Sequence, residues 1–508
     1  MSTQINDNPP NKWLPLLLGL ACAVGLFFGT KIQLPKEPKS ENLPAEANKA
    51  IQKMTDAFAY INSKYDDSLD YQTIVDKSLY GLTQELDPYS NYSNLETKQA
   101  EIDDLDGDYF GVGIECRKVG SRFFIDKVYD KSPAQENGIQ FGDELITINE
   151  KILDSTYSTK KIIDLIKSAP SKVKLEVNTS SGKLFKELTK REIALPSIGF
   201  TYSPEKGIVY VSIHNFGEKT YQELIEKLDQ QSQNGKIKKL ILDLRNNSGG
   251  YVSAVADILN QLIPEKDQFM FETFGSKIKS RVYKTLGRPF FKYDKIIILV
   301  NQNTASASEI LAGTLQDLDI ATIIGTNTVG KGTILEHFEL ADGSILRLVT
   351  GRYKLPSGRI LQKPLQDGSE ISLQENNTKQ EKIFYSLRKN KKLANAQGII
   401  PDIILENKEP NVREFSNELS SNSEDFVLQN REAIHKLNLS SSSDIFTNPH
   451  VEKFITERST TSKDSNFITA NQSVIEIKHA ILYLLYGDKK LQEELLKRDA
   501  LYLKAVSE

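Results

Sequence analysis

The stretch Asn301-Gln-Asn-Thr304-Ala305-Ser306-Ala307-Ser308-Glu309-Ile310 sets hydroxyls between an apolar strand ending at Val300 and a helix running to about Leu318. A serine at a strand-to-helix turn holds its hydroxyl where it can attack, and the helix N-terminus stabilises negative charge beside it. Ser and Thr also cap helices, with Glu three positions on, so both roles stand open within this cluster. Twenty-five residues after Ser306, Lys331 lies between Gly330 and Gly332. Glycines on both sides let the backbone pack closely and the side chain reach inward. A lysine buried away from counter-charges loses its proton more readily and can serve a serine as general base. In an exposed turn it would do neither. Upstream, Asp243-Leu-Arg245-Asn246-Asn247-Ser248-Gly249-Gly250 follows an apolar strand and precedes a helical stretch from Val252 to Leu262. Two glycines there let backbone amides approach a phosphate or a developing oxyanion. The phosphate reading lacks a G-K-[ST] or a G-x-G-x-x-G pattern.

A second group of residues suits recognition. In Tyr109-Phe110-Gly111-Val112-Gly113-Ile114, glycines at the mouth of a strand can turn successive amides to one side, a nest for a carboxylate. A peptide C-terminus held there would add as a strand along the sheet edge. A plain glycine-rich strand entry carries the same pattern. Here it is followed, in order, by Ser132-Pro-Ala-Gln-Glu-Asn-Gly138-Ile139 and Gly142-Asp143-Glu144-Leu145-Ile146-Thr147-Ile148-Asn149. That combination resembles a PDZ domain. The resemblance implies that Phe110, Gly111, Val112 and Gly113 bind the substrate carboxylate. A helix at 158–168 would be the other groove wall, lined by Ile162 and Leu165 or Ile166. The five histidines show no H-E-x-x-H or other ligand spacing, so neither a metal nor another cofactor is implied. His214, in an expected strand, is the one that a Ser–His–Asp arrangement could use.

Taken in order, L-D-P-Y-S (86–90), the PDZ-like segment, D-L-R-N-N-S-G-G, T-A-S-A-S-E-I, A-G-T-L-Q-D (312–317) and T-V-G-K-G-T (328–333) resemble the carboxyl-terminal processing peptidases. So do Asp342-Gly343-Ser344, Tyr353-Lys-Leu-Pro-Ser-Gly-Arg359 and Gly398-Ile-Ile-Pro401-Asp402-Ile403. These are tail-specific serine proteases with a Ser–Lys dyad, and the resemblance covers roughly residues 45–405. It implies Ser306 as nucleophile and Lys331 as general base. The amide of Ala307 with that of Gly249 or Gly250 would form the oxyanion hole, and Asp317 would support the site. Departures are visible. Leu335 stands where the family usually has a glutamine four residues after the lysine, Tyr89 where histidine is common, and Ser248 where proline is common. The implied activity is that of a serine endopeptidase recognising free apolar C-termini. The rival is a catalytically weak or inactive tethered binder of C-terminal peptides, for which Leu335 speaks.

These residues need elements to position them. The 508 residues suffice for two to four domains, and 39% hydrophobic residues suffice for sizeable cores. The balance of 64 basic against 68 acidic residues gives −4, which leaves no electrostatic footprint for nucleic acid. Cys22 and Cys116 cannot build a disulfide framework or a four-ligand zinc site. Leu14 to Ile32 is mostly apolar and just long enough to span a bilayer. A cleaved signal peptide, a lipoprotein signal at Cys22 and an uncleaved signal anchor compete for it, and the anchor fits best. The resulting expectation is a membrane-anchored protein whose catalytic part is extracytoplasmic, in the periplasm.

The expected fold is multidomain, α/β and α+β. Residues 1–44 are anchor and proline-rich tether, 45–100 an N-terminal helical region, and 101–196 the PDZ-like domain with strands at 109–117, 122–128, 143–149 and 172–177. Residues 197–405 form a protease core on a mostly parallel sheet, interrupted by a polar insertion at 363–397. Residues 406–508 form a helical extension, with helices expected at 424–437, 474–486 and 489–505. The helices at 45–86 and after 424 could supply the interface of a homo-oligomer, by analogy alone.

Overall fold

A computed structural model describes residues 43–95, 97–98, 108–233, 235–361, 383–393, 398–406, 421–437, 439–459 and 471–508. The expected span at 14–32 lies outside these residues. Among the described residues no helix is long and apolar enough to cross a membrane. The chain divides into two compact units, residues 1–75 and 76–508. The first holds helix α1 (Ala45–Lys64), none of whose residues is buried. Helix α2 (Tyr71–Gln84) follows. It stops ahead of Asp87-Pro88, where the Asp87 carboxylate accepts from the amides of Tyr89 and Ser90 and from the Ser90 hydroxyl. Strand β1 (Asn91–Ser93) follows.

Alternating strands then build a small domain: β2 (Asp108–Gly111), β3 (Ile114–Val119), β4 (Arg122–Val128), α3 (Pro133–Glu136), β5 (Glu144–Ile148), β6 (Lys151–Ile152), α4 (Thr159–Ser168), β7 (Lys172–Thr179), β8 (Gly182–Thr189) and β9 (Arg191–Ala194). Its main sheet runs β3-β4-β5-β7-β8 with β6 on β5, and β2 pairs separately with β9. The single strand expected at 109–117 is therefore two. Gly113, at φ 84°, breaks it, and a Cβ there would come within 2.1 Å of the Ser132 Cβ.

The larger domain, built round a central sheet, comprises β10 (Ile198–Tyr202), β11 (Ile208–Ile213), α5 (Thr220–Ser232), β12 (Lys239–Asp243), α6 (Val252–Leu262), β13 (Lys266–Phe274), β14 (Arg281–Leu286), β15 (Lys295–Val300), α7 (Ala307–Asp317) and β16 (Ala321–Gly325). It continues with β17 (Thr333–Glu339), β18 (Ile345–Lys354), β19 (Phe384–Tyr385), β20 (Lys392–Leu393) and β21 (Ile403–Ile404). The order β10-β11-β12-β15-β16-β21 is parallel except for β10, while β1, β13, β14, β17 and β18 form an antiparallel sheet beside it. Side chains alternate across the central strands. Leu240, Leu242, Ile296, Ile298 and Val300 face α5, α6 and α7 on one side; Ile241, Ile297 and Leu299 face the other.

That other side is closed by the C-terminal helices α8 (Ser421–His435), α9 (Asp444–Thr447), α10 (Pro449–Ser459), α11 (Asn471–Tyr486), α12 (Asp488–Leu496) and α13 (Ala500–Ser507). The helix expected at 489–505 is two, since Asp499 caps α13 by accepting from the amides of Leu501 and Tyr502. Helix α10 was not foreseen. Of the insertion at 363–397, residues 383–393 are described; they hold the β19–β20 hairpin, whose turn docks on α7 through Leu387 N donating to Asp317 O (2.8 Å).

Candidate active site

Ser306 stands at the N-terminus of α7 with φ 54° and ψ −116°, a conformation that a β-substituted residue adopts at a cost of about 1–3 kcal/mol. Glu309, one turn into α7 and fully buried, holds it there. Its carboxylate accepts from the Ser306 amide (2.9 Å), completing half of the capping box the sequence suggests. It also accepts from Gly330 N (2.8 Å), Lys331 N (2.9 Å) and the Thr328 hydroxyl (2.5 Å). One carboxylate thus binds the serine turn and the lysine loop together. Burial raises the Glu309 pKa, and these four donors oppose the shift. The buried Tyr353 adds a second bridge: its hydroxyl donates to Lys331 O (3.1 Å) and lies 3.4 Å from Ser306 O.

Lys331 is mostly enclosed, and its pKa is lowered, first by burial and then by the Arg347 charge; Glu309 and Asp87 act the other way. Its ammonium lies over the ring of Tyr89, 4.9 Å from the centroid. Cys116, by contrast, has its thiol pushed up to about 12 by burial, so it stays protonated.

The loop after β12 closes on the serine from the other side. The buried Asn247 donates through Nδ2 to Ile213 O (2.9 Å), and its carbonyl accepts from Ala305 N and the Ser308 hydroxyl, both at 3.0 Å. Its Oδ1 accepts from Gly249 N (2.9 Å), so that amide is occupied. Gly250, at φ 141°, pairs with Phe216, and a Cβ there would come within 2.3 Å of Phe216 O. Among the described residues the amides of Gly250 and Ala307 have no hydrogen-bond acceptor. Beneath the loop, Arg245 is sandwiched between Asp243 and Asp499 of the C-terminal layer, the latter ion pair at 2.7 Å with both side chains 2% exposed.

Asp317 is not brought to this cluster. It ends α7, about 16 Å along the axis from Ser306 at ~1.5 Å per residue, where it pairs with buried Arg359 (2.7 Å) and accepts from Ser357 N. The His214 ring lies against Gly199 of β10.

In the small domain, Phe110 and Gly111 pair with Glu192 and Arg191 of β9, and the Phe110 side chain is 60% exposed. Val112 is buried in the core, its carbonyl accepting from Ala134 N, and Gly113 turns the chain into β3. Strand β3 is an edge of its sheet. Ile162 is fully buried in that core and does not line a groove; Leu165 and Ile166 are only partly buried.

Residues 207–372 match peptidase family S41, and residues 101–178 match a PDZ domain. The chain carries an S41 peptidase domain behind a PDZ domain. Curated relatives of this peptidase include the carboxy-terminal processing protease CtpB of Bacillus subtilis (strain 168), 26% identical over 350 residues, which is 68% of this chain and 72% of that protein. A carboxy-terminal-processing protease of Bartonella bacilliformis is 28% identical over 356 residues, 66% of this chain and 78% of that one. Among solved structures, a photosystem II D1 C-terminal processing protease aligns over 70% of this chain and 86% of its own at 21% identity and a TM-score of 0.37. The peptidase is a serine endopeptidase. Sequence reasoning gave no role in it to Asn247, Thr328 or Tyr353, although all three sit inside motifs that were legible as motifs.

Proposed function

We propose that the peptidase is tethered to a membrane by Leu14–Ile32, captures the free apolar C-terminus of a protein in its PDZ groove, and cleaves the chain with a Ser306–Lys331 dyad. The observation that carries the dyad is the Glu309 carboxylate, which fastens the Ser306 turn and the Gly330–Lys331 loop to one point. Neutral Lys331 takes the Ser306 proton as Oγ attacks the scissile carbonyl carbon. The tetrahedral oxyanion is held by the amides of Ala307 and Gly250, neither of which meets an acceptor among the described residues. Collapse breaks the C–N bond, and the lysine ammonium returns its proton to the leaving amine. Water, deprotonated by the same lysine, then hydrolyses the acyl-enzyme. Tail capture is supported by the open edge of β3, where a tail would add as a strand, and by the turn at Gly113 that opens it.

The test is to incubate the protein with a flexible substrate ending in a free apolar carboxyl terminus and with its amidated twin. The free acid is expected to be cut several-fold faster at limiting substrate. Equal rates would remove the carboxylate nest from the reading, and binding without cleavage would favour the tethered binder.

A further inference from the structure

Lys331 needs something to aim its amine and to take up the charge it acquires. Among the described residues its Nζ makes no hydrogen bond or ion pair; what it meets is the face of the Tyr89 ring, at 4.9 Å. Leu335, four residues on in β17, is aliphatic. Tyr89 is held independently of the lysine. Its amide donates to Asp87 (2.8 Å), and the next residue, Ser90, accepts through its hydroxyl from Val349 N on β18 (3.0 Å). Val349 is the register partner of Leu335. The loop carrying Tyr89 is therefore tied to β18 at the rung of Leu335.

We propose that the Tyr89 ring is the positioning residue for Lys331, doing with its π-face what no hydrogen-bonding side chain does here. The inference rests on the Ser306–Lys331 reading. An aromatic face attracts an ammonium far more than a neutral amine. The contact therefore strengthens as Lys331 takes the serine proton and contributes to the transition state more than to the resting state. The groups whose charge Lys331 feels are Asp87 in the same loop, Arg347 on β18 and Glu309 on α7. Arg347 is itself bonded to His337 of β17, and the Tyr353 hydroxyl meets the lysine's carbonyl. Variants at Tyr89 leave all of these in place.

The test compares Tyr89→Phe, Tyr89→Leu, Tyr89→Leu with Leu335→Gln, and Lys331→Ala, each in the full-length chain with a flexible protein substrate. Tyr89→Phe keeps the face and is expected within about 3-fold of wild type. Tyr89→Leu is expected to lower kcat about 10-fold or more with KM little changed. Without the ring the ammonium is less stable, so the lysine pKa falls and the ascending limb of kcat/KM moves to lower pH by about half a unit or more. Adding Leu335→Gln restores part of kcat. Wild-type kcat and an unmoved limb in Tyr89→Leu, or equal damage from Tyr89→Phe, would overturn the proposal. If Tyr89→Leu fails to fold, Tyr89→Trp decides instead: its stronger face moves the limb to higher pH, and an unmoved limb overturns the proposal. Activity in Lys331→Ala would instead overturn the dyad itself.

Discussion

Glu309 joins Ser306 to Lys331 through three backbone amides and a threonine hydroxyl, so position 309 is where a single atom change should be felt most. Glu309→Gln keeps the size but offers one acceptor oxygen to four donors. Stranding even one buried donor costs about 1–3 kcal/mol, and displacing the serine relative to the lysine by about an ångström costs on the order of 100-fold in rate. A lower thermal midpoint with a kcat reduced by about that factor is expected; unchanged turnover would show that the carboxylate does not set the geometry. Activity of the wild type should also rise with pH. In the proposed dyad the neutral amine is the base, and burial lowers the Lys331 pKa, so the ascending limb of kcat/KM should lie below the ordinary lysine range. Ser306 and Lys331 could be singled out in the sequence as candidates because their glycines and neighbours form local motifs. The reach of Glu309 was not, since its partners at 328, 330 and 331 are brought to it by the fold. The partner of Asp317 was not legible either: its motif places it near the end of a helix, and Arg359 is brought to it by the fold.

At the scale of elements, the proposed oxyanion hole requires the loop after β12 and the turn before α7 to meet at one height. Asn247 sets that height through Ile213 O, Gly249 N, Ala305 N and the Ser308 hydroxyl. Asn247→Ala removes the side-chain half of this set. It should lower kcat by about 10-fold or more while leaving KM nearly unchanged, since the loss falls on the transition state. An equal loss in KM would place Asn247 in substrate binding instead. Apolar runs gave the core strands readily because each is buried on both faces. The break between β2 and β3 was not legible, because its cause, the approach of Ser132 to Gly113, is a tertiary contact.

At the scale of the whole molecule, the C-terminal helices are a layer of the fold. They cover the second face of the central sheet, where Tyr210, Ile241, Ile297, Leu299 and Ile324 would otherwise meet water. They also grip the outer face of the PDZ domain through Leu428 against Val119 and Phe124, Arg431 with Glu144, and Arg117 with Glu424. Their polar, serine-broken sequence concealed this, because apolar residues spread over six helices show no single stripe. Two results are expected. Asp499→Ala leaves Arg245 short of one buried partner and should cost about 3–5 kcal/mol in denaturant unfolding. A chain ending at 405 should not give a soluble folded peptidase, and recovery of a stable, active fragment would contradict the layer's structural role.

The most direct test of the central claim compares wild type, Ser306→Ala and Lys331→Ala on one flexible, free-tailed substrate, with tail binding measured in parallel. Cleavage by the wild type alone, with binding kept in all three, is the result the Ser306–Lys331 reading requires. Residual cleavage in Ser306→Ala or Lys331→Ala above the uncatalysed background would contradict it.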